Sequence, residues 1–106
     1  MSIYVYVTRK EDPLGDEGDL ITASEWKSLV EGDSDLALAD PEGKRPADKT
    51  IYAVWSTYPG GYPAWFGLAD GNIEVKGLDG ALLSKLRSFA TTLGARIVSE
   101  EGEVFS

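Results

Sequence analysis

The sequence predicts an α+β domain in which an antiparallel β-sheet carries two α-helices, the longer of them packed across one face of the sheet. Two segments, 22–31 and 79–93, have helical periodicity and signals for helix ends. The other apolar segments are short, and tight turns join several of them. They do not alternate regularly with helices, as the strands of a doubly wound fold would. At 106 residues the chain is expected to be a single domain, 1–106.

The first predicted strand is Ile3 to Thr8, where branched aliphatic side chains alternate with tyrosines. We expect its aliphatic face to be buried and its tyrosine face to be half covered. Residues 9–20 have no periodicity and contain a proline and two glycines, so they predict a mobile acidic loop.

The shorter helix is predicted from its start signal. Thr22 and Glu25 have the spacing of a capping box, and Ile21 and Trp26 have that of a hydrophobic staple. Gly32 is expected to end the helix in a left-handed conformation.

Short strands are predicted at 36–39, 51–56, 64–69, 73–75, 95–99 and 103–105. The segment 51–56 is apolar on both faces, which is typical of a covered strand, and Trp55 is assigned to the core. Asp70-Gly71 predicts a type I′ hairpin turn. Asp40 to Lys49 is expected to be a polar loop.

The longer helix is expected to be capped by Asp79 and to end at Gly94. Lys85 and Arg87 are expected to face water. The apolar stripe that would pack on the sheet consists of Leu82, Leu83, Leu86, Phe89, Ala90 and Leu93.

Composition excludes several functions. The chain has no cysteine and no histidine, so thiol chemistry and histidine acid–base catalysis are absent. Its net charge of −8 argues against binding to nucleic acid or anionic membranes and favours a basic partner. The apolar run at 3–7 is too short for a signal peptide or a membrane span, so a cytoplasmic location is expected.

No motif predicts catalysis, a metal or a cofactor. Ser24 and Lys27 match the Ser-x-x-Lys spacing, but the first turn of a capped helix explains Ser24. Asp33 and Asp35 do not continue as a calcium-binding loop, and neither do the acids at 16–19, so both groups are interpreted as solvated loop residues. We therefore expect a protein that is not an enzyme.

The segment from Tyr58 to Trp65 is the strongest candidate for recognition. Two prolines and two glycines exclude regular structure from most of it, and its aromatic side chains are of the type that anchors interfaces. Tyr58 and Tyr62 are the candidate contacts. The alternative is a long hairpin loop whose tyrosines fold back over the core.

The C-terminal half also carries a resemblance. The residues concerned are Glu25-Trp26, Trp65-Phe66, Gly71, Ile73, Lys85, Ala90, Leu93-Gly94-Ala95 and Glu101-Gly102-Glu103-Val104-Phe105. With them, residues 22–105 resemble a family of small bacterial proteins that end in a Leu-Gly-Ala strand and a Gly-Glu-aromatic hairpin. Some of these look like toxin-immunity proteins. The resemblance implies a protein that is not an enzyme, and it implies no catalytic residues.

The leading functional hypothesis is a protein-binding module, such as an immunity-like inhibitor, that acts by occluding a basic partner. Acidic residues would steer the partner and aromatic residues would anchor it; these candidates are Asp16, Glu17, Asp19, Glu100, Glu101, Glu103, Tyr58, Tyr62 and Trp65. The alternative is a small-molecule or carbohydrate-binding domain that stacks its ligand on Trp55, Trp65 and Tyr62. A third hypothesis, an enzyme using only carboxylates and a metal, would show an activity that a chelator abolishes. The sequence does not predict the oligomeric state.

Overall fold

The computed structural model describes residues 3–10, 18–39 and 50–105. Residues 11–17 of the predicted loop at 9–20 and the whole of the predicted loop at 40–49 lie outside the described residues. Within them the chain forms strands β1 (Tyr4–Thr8), β2 (Leu36–Leu38), β3 (Ile51–Trp55), β4 (Ala64–Ala69), β5 (Asn72–Lys76), β6 (Arg96–Ser99) and β7 (Val104–Phe105), and helices α1 (Ala23–Glu31) and α2 (Gly80–Leu93).

The seven strands form one sheet in the order β2-β3-β4-β5-β1-β6-β7, and every neighbouring pair is antiparallel. Strand β1 lies inside the sheet, between β5 and β6, although it comes first in the chain. The predicted α+β class is confirmed.

Helix α1 begins as its sequence predicts. The Thr22 hydroxyl accepts a hydrogen bond from the Glu25 N–H at 3.1 Å, and the Glu25 carboxylate accepts one from the Thr22 N–H at 3.1 Å. The helix ends before Gly32 as predicted, but the predicted left-handed conformation is wrong, because Gly32 has a right-handed φ of −82°. A further turn follows the helix, since the Asp33 N–H donates a hydrogen bond to the Val30 carbonyl at 3.2 Å.

The β4–β5 hairpin and the ends of α2 also confirm local predictions. Asp70 and Gly71 both have positive φ, 53° and 80°, as a type I′ turn requires. The Asp79 carboxylate accepts from the Leu82 N–H at 2.8 Å at the start of α2, and Gly94 ends the helix with a left-handed φ of 62°.

The core lies between the two helices and one face of the sheet. The ring of Phe89 on α2 meets the rings of Trp26 on α1 and Phe66 on β4 edge to face, at centroid distances of 5.5 and 5.2 Å. The Trp26 indole N–H also donates to the Ile51 carbonyl at 2.9 Å, which ties α1 to β3.

Side chains alternate between the two faces along each strand. We call the face that carries Val5, Phe66 and Ile73 the helix face, because both helices pack on it. The other face carries Tyr4 and Trp65, and no helix in the described ranges covers it. We call it the open face.

Candidate functional site

The connection between β3 and β4, residues 56–63, contains one buried tyrosine, Tyr58, and one exposed tyrosine, Tyr62. Tyr58 is only 6% exposed. Its ring lies 5.3 Å from that of Trp55, and its hydroxyl donates to the carboxylate of Asp79. The predicted alternative, in which a loop tyrosine folds back over the core, therefore describes Tyr58.

Tyr62 is 65% exposed and is the more accessible of the two. Its ring contacts that of Tyr58 edge to face, with the centroids 5.6 Å apart. The buried tyrosine thus supports the exposed one from beneath, so the connection presents Tyr62 in a defined position.

A glycine permits this packing. A Cβ placed on Gly60 would lie 2.3 Å from Cε2 of Tyr58, far inside van der Waals contact. Only a residue without a side chain lets the chain pass so close to the ring. Sequence reasoning assigned Gly60 to loop irregularity; its specific role is the close approach to Tyr58.

The Tyr58–Asp79 hydrogen bond also shifts the pKa values of both side chains. Donation to the Asp79 carboxylate, with smaller contributions from burial and charge, raises the pKa of Tyr58 to about 12. The same bond, followed by the N–H of Leu82, lowers the pKa of Asp79. Both shifts favour a neutral phenol beside an ionised carboxylate, which suits an anchor for the connection.

Trp65 lies on the open face, away from this cluster. In the β3–β4 register, Trp55 is paired with Ala64 on the helix face, so the next residue of β4 points to the opposite side. Trp65 is 51% exposed and meets the ring of Tyr52 edge to face at 6.2 Å. Tyr58, Tyr62 and Trp65 therefore do not form one surface.

The rings considered for sugar stacking are also separated. Trp55 is partly buried on the helix face, and the ammonium of Lys85 lies 4.7 Å from its ring centroid. Trp65 is on the other side of the sheet. The assignment of Trp55 to the core is correct for its packing, although its burial is partial.

The structure contradicts two predictions of solvent exposure, one for Lys85 and one for Asp33 and Asp35. The Lys85 side chain does not face water, since it is only 11% exposed, and its ammonium lies 3.0 Å from carboxylate oxygens of both Asp33 and Asp35. These two acids are therefore ion-paired instead of being freely solvated. Burial lowers the pKa of Lys85, but its hydrogen bonds to Asp33 and Asp35 outweigh that effect, so the pKa is raised.

The acidic candidates lie at opposite ends of the sheet. Asp19 is exposed and forms an isolated bridge with Arg9, just beyond one end of β1. Glu100 lies at the other end, where its N–H donates to the Tyr4 carbonyl at 2.9 Å. Asp16 and Glu17 lie outside the described residues.

Glu101 and Glu103 are exposed in the turn between β6 and β7, beside Glu100. The Ser99 hydroxyl accepts hydrogen bonds from their two N–H groups at 3.2 and 3.1 Å, which orders the turn. The structure thus brings three acidic candidates together at the Tyr4 end of β1.

Tyr4 and Tyr52 are open-face residues that sequence reasoning did not select. Tyr4 is 40% exposed, and Tyr52 contacts Trp65. The alternation of tyrosine with valine in β1 placed Tyr4 on the less buried face, and that was the available signal. Its proximity to Trp65 depends on strand order, which the sequence does not reveal.

Residues 3–10, 18–39 and 50–105 contain no group of three or more acids, histidines or cysteines placed to hold a metal ion. In that same part of the chain, neither helix has the length and apolar character needed to cross a membrane.

Comparisons of the chain with protein-family models, with curated proteins and with solved structures give no match. The resemblance to immunity-like bacterial proteins therefore stays a prediction.

Proposed function

We propose that this chain is a non-catalytic protein-binding module of the cytoplasm, similar in action to an immunity protein, which inhibits a basic partner by covering its surface. The observation that carries the proposal is Trp65, which lies on the open face with 51% of its surface exposed. Large aromatic side chains held at rigid positions supply much contact area with little loss of conformational entropy.

The environment of Trp65 supports a binding role. The side chain projects from β4, an interior strand that lies between β3 and β5, and Tyr52 contacts its ring. A partner would therefore meet a surface that needs little rearrangement on binding.

Charge supports a basic partner. The chain carries eighteen acidic and ten basic residues, and such an excess accelerates the encounter with a cationic protein. Sugar binding is less favoured, because the rings suggested for it lie on different sides of the sheet.

Site-specific photo-crosslinking tests this function. A photoreactive phenylalanine analogue is placed at Trp65 and, in matched variants, at Tyr62 and at the exposed α2 residue Thr92. We expect position 65 to crosslink one protein in a native lysate and position 92 to crosslink none. Crosslinks from position 62 instead would move the interface to the helix side, and identical product patterns from all three positions would refute the proposal.

A further inference from the structure

Four residues of the open face form a row across neighbouring strands. Lys76 of β5 is paired with Tyr4 of β1, and Tyr4 is bonded to Glu100 just after β6. The β4–β5 pairing ends at Gly67 and Glu74, and the same register continued by two residues along both strands would place Trp65 opposite Lys76. At about 4.8 Å between strands, Trp65 and Tyr4 are roughly 10 Å apart across the row.

The two aromatic members of this row are exposed, at 51% and 40%. Both lie at the end of the open face where β1 begins. At the other end, Thr8, Lys10 and Asn72 are buried, and the Thr8 hydroxyl bonds the Asn72 side chain at 2.6 Å. A ligand of this face would therefore contact the Trp65–Tyr4 end, which we call the Trp65 surface.

Negative charge adjoins the Trp65 surface. Glu74 is paired with Tyr6 in the next row, and Glu100 accepts the Tyr4 N–H at 3.2 Å. The adjacent turn adds Glu101 and Glu103, so among the described residues of this end four carboxylates stand against the ammonium of Lys76.

The carboxylates act on the interior of the face as well. The pKa of Tyr6 is raised, first by burial and then by the charges of Glu74 and Glu100. The negative charge of Glu74 and Glu100 therefore reaches Tyr6 and is not limited to the tip of the turn.

We propose that the Trp65 surface binds an arginine-bearing basic segment of a partner protein, with guanidinium groups stacked on Tyr4 and Trp65 and paired with Glu100. This inference rests on the proposed protein-binding function and names its partner chemistry. Arginine fits because its planar cation both stacks on aromatic rings and binds carboxylates. A cation over an aromatic ring also occurs inside the protein, where the Lys85 ammonium lies over the Trp55 ring.

A second copy of the chain is a poorer occupant. Each copy has a net charge of −8, so two such faces would repel each other at moderate salt. Within this row, the ammonium of Lys76 would repel a cationic ligand. Replacing Lys76 should therefore change the affinity in the opposite direction to replacing Glu100.

The test is a titration of the isotope-labelled 106-residue chain with a hexa-arginine peptide. Binding is measured from the amide chemical shifts by NMR. We expect saturable shifts at Trp65, Tyr4 and Glu100 and none along α2. Trp65→Leu keeps an apolar side chain but removes the indole, and should weaken binding by about threefold to fivefold. Tyr4→Leu is the second variant if the first fails to fold.

Charge variants separate local pairing from general attraction. Glu100→Gln should weaken binding by about threefold more than Glu31→Gln, which removes the same charge from an exposed position on α1. Lys76→Gln should strengthen it. Equal losses of affinity in Glu100→Gln and Glu31→Gln would overturn the proposal. Chemical-shift changes at Trp65, Tyr4 and Glu100 caused by a hexa-glutamate peptide, or by a higher protein concentration alone, would overturn it too.

The two proposals fail in different ways. If position 65 crosslinks a protein but hexa-arginine does not shift the row, the protein-binding function stands and the arginine chemistry is refuted. If hexa-arginine binds elsewhere on the chain and position 65 crosslinks nothing, both are refuted.

Discussion

The ammonium of Lys85 lies 4.7 Å from the centroid of the Trp55 ring. The same ammonium bonds Asp33 and Asp35 at 3.0 Å, so one side chain of α2 connects β3 with the turn between α1 and β2. This cluster stabilises the helix face close to the connection that presents Tyr62.

Lys85→Met should destabilise the protein by about 1 to 3 kcal/mol, because it keeps the aliphatic stem but leaves two carboxylates without their cation. The loss is limited by Asp35, whose side chain is half exposed. Urea unfolding measures it. Lys27→Met on α1 is the control, since Lys27 is exposed; equal effects of the two changes would contradict the role of the cluster.

Asp79→Ala should cost more stability than Tyr58→Phe. The carboxylate of Asp79 caps α2 and also accepts from the Tyr58 hydroxyl, whereas the phenylalanine variant loses only the second bond. Loss of the cap alone is about 1 kcal/mol. Thermal unfolding of both variants checks this order, with Ser84→Ala as an exposed control on the same helix. A larger loss from Tyr58→Phe would argue against the double role.

Gly60→Ala should displace the Tyr58 ring and destabilise the protein by about 1 to 3 kcal/mol, the usual cost of forcing extra volume into a packed site. The new Cβ would lie 2.3 Å from the ring. Near-ultraviolet circular dichroism reports the ring environment and urea unfolding the stability. Gly80→Ala is the matched change, because nothing lies within 4 Å of its added Cβ. An unchanged aromatic spectrum in Gly60→Ala would contradict the packing.

Glu25 should contribute to the acid stability of the protein. Hydrogen bonds, first from Arg9 and then from the Thr22 N–H, lower its pKa from 4.5 to about 2. A carboxyl whose pKa is lower in the folded state stabilises the fold above its unfolded pKa. This contribution should therefore be present above pH 4.5 and be lost as pH falls towards 2.

Unfolding free energies between pH 6 and pH 2, compared for the wild type and Glu25→Gln, measure that dependence, since the two curves should converge as the pH falls from 4.5 towards 2. The control is Glu31→Gln, at an exposed position on the same helix. Its unfolding free energy should differ from that of the wild type by the same amount at every pH. Parallel curves for the wild type and Glu25→Gln would show that Glu25 is not responsible.

Much of the local structure follows from short-range rules. The Thr22–Glu25 capping box, the Asp70-Gly71 turn and the left-handed Gly94 all form as their residues predict, because each depends on neighbours within a few positions. Gly32 is the exception. Its conformation depends on the Asp33 turn, which bonds both the Val30 carbonyl and the N–H of Leu36.

The candidate site was less predictable. Sequence reasoning grouped Tyr58, Tyr62 and Trp65 because they are close in the chain. Strand alternation sends Trp65 to the open face, and a hydrogen bond to Asp79, twenty-one residues away, draws Tyr58 inward. Exposure of a loop aromatic therefore depended on distant partners.

The sequence by itself determined the two capped helices, the hairpin turn and the alternation that gives each strand an apolar face, since all are encoded within a few residues. Only the tertiary structure decided that β1 lies between β5 and β6, that Lys85 meets Asp33 and Asp35, and that Tyr4 and Trp65 share one row. These arrangements join residues far apart in the chain, and they depend on which strands pair when the helix face is buried, a choice that no local pattern specifies.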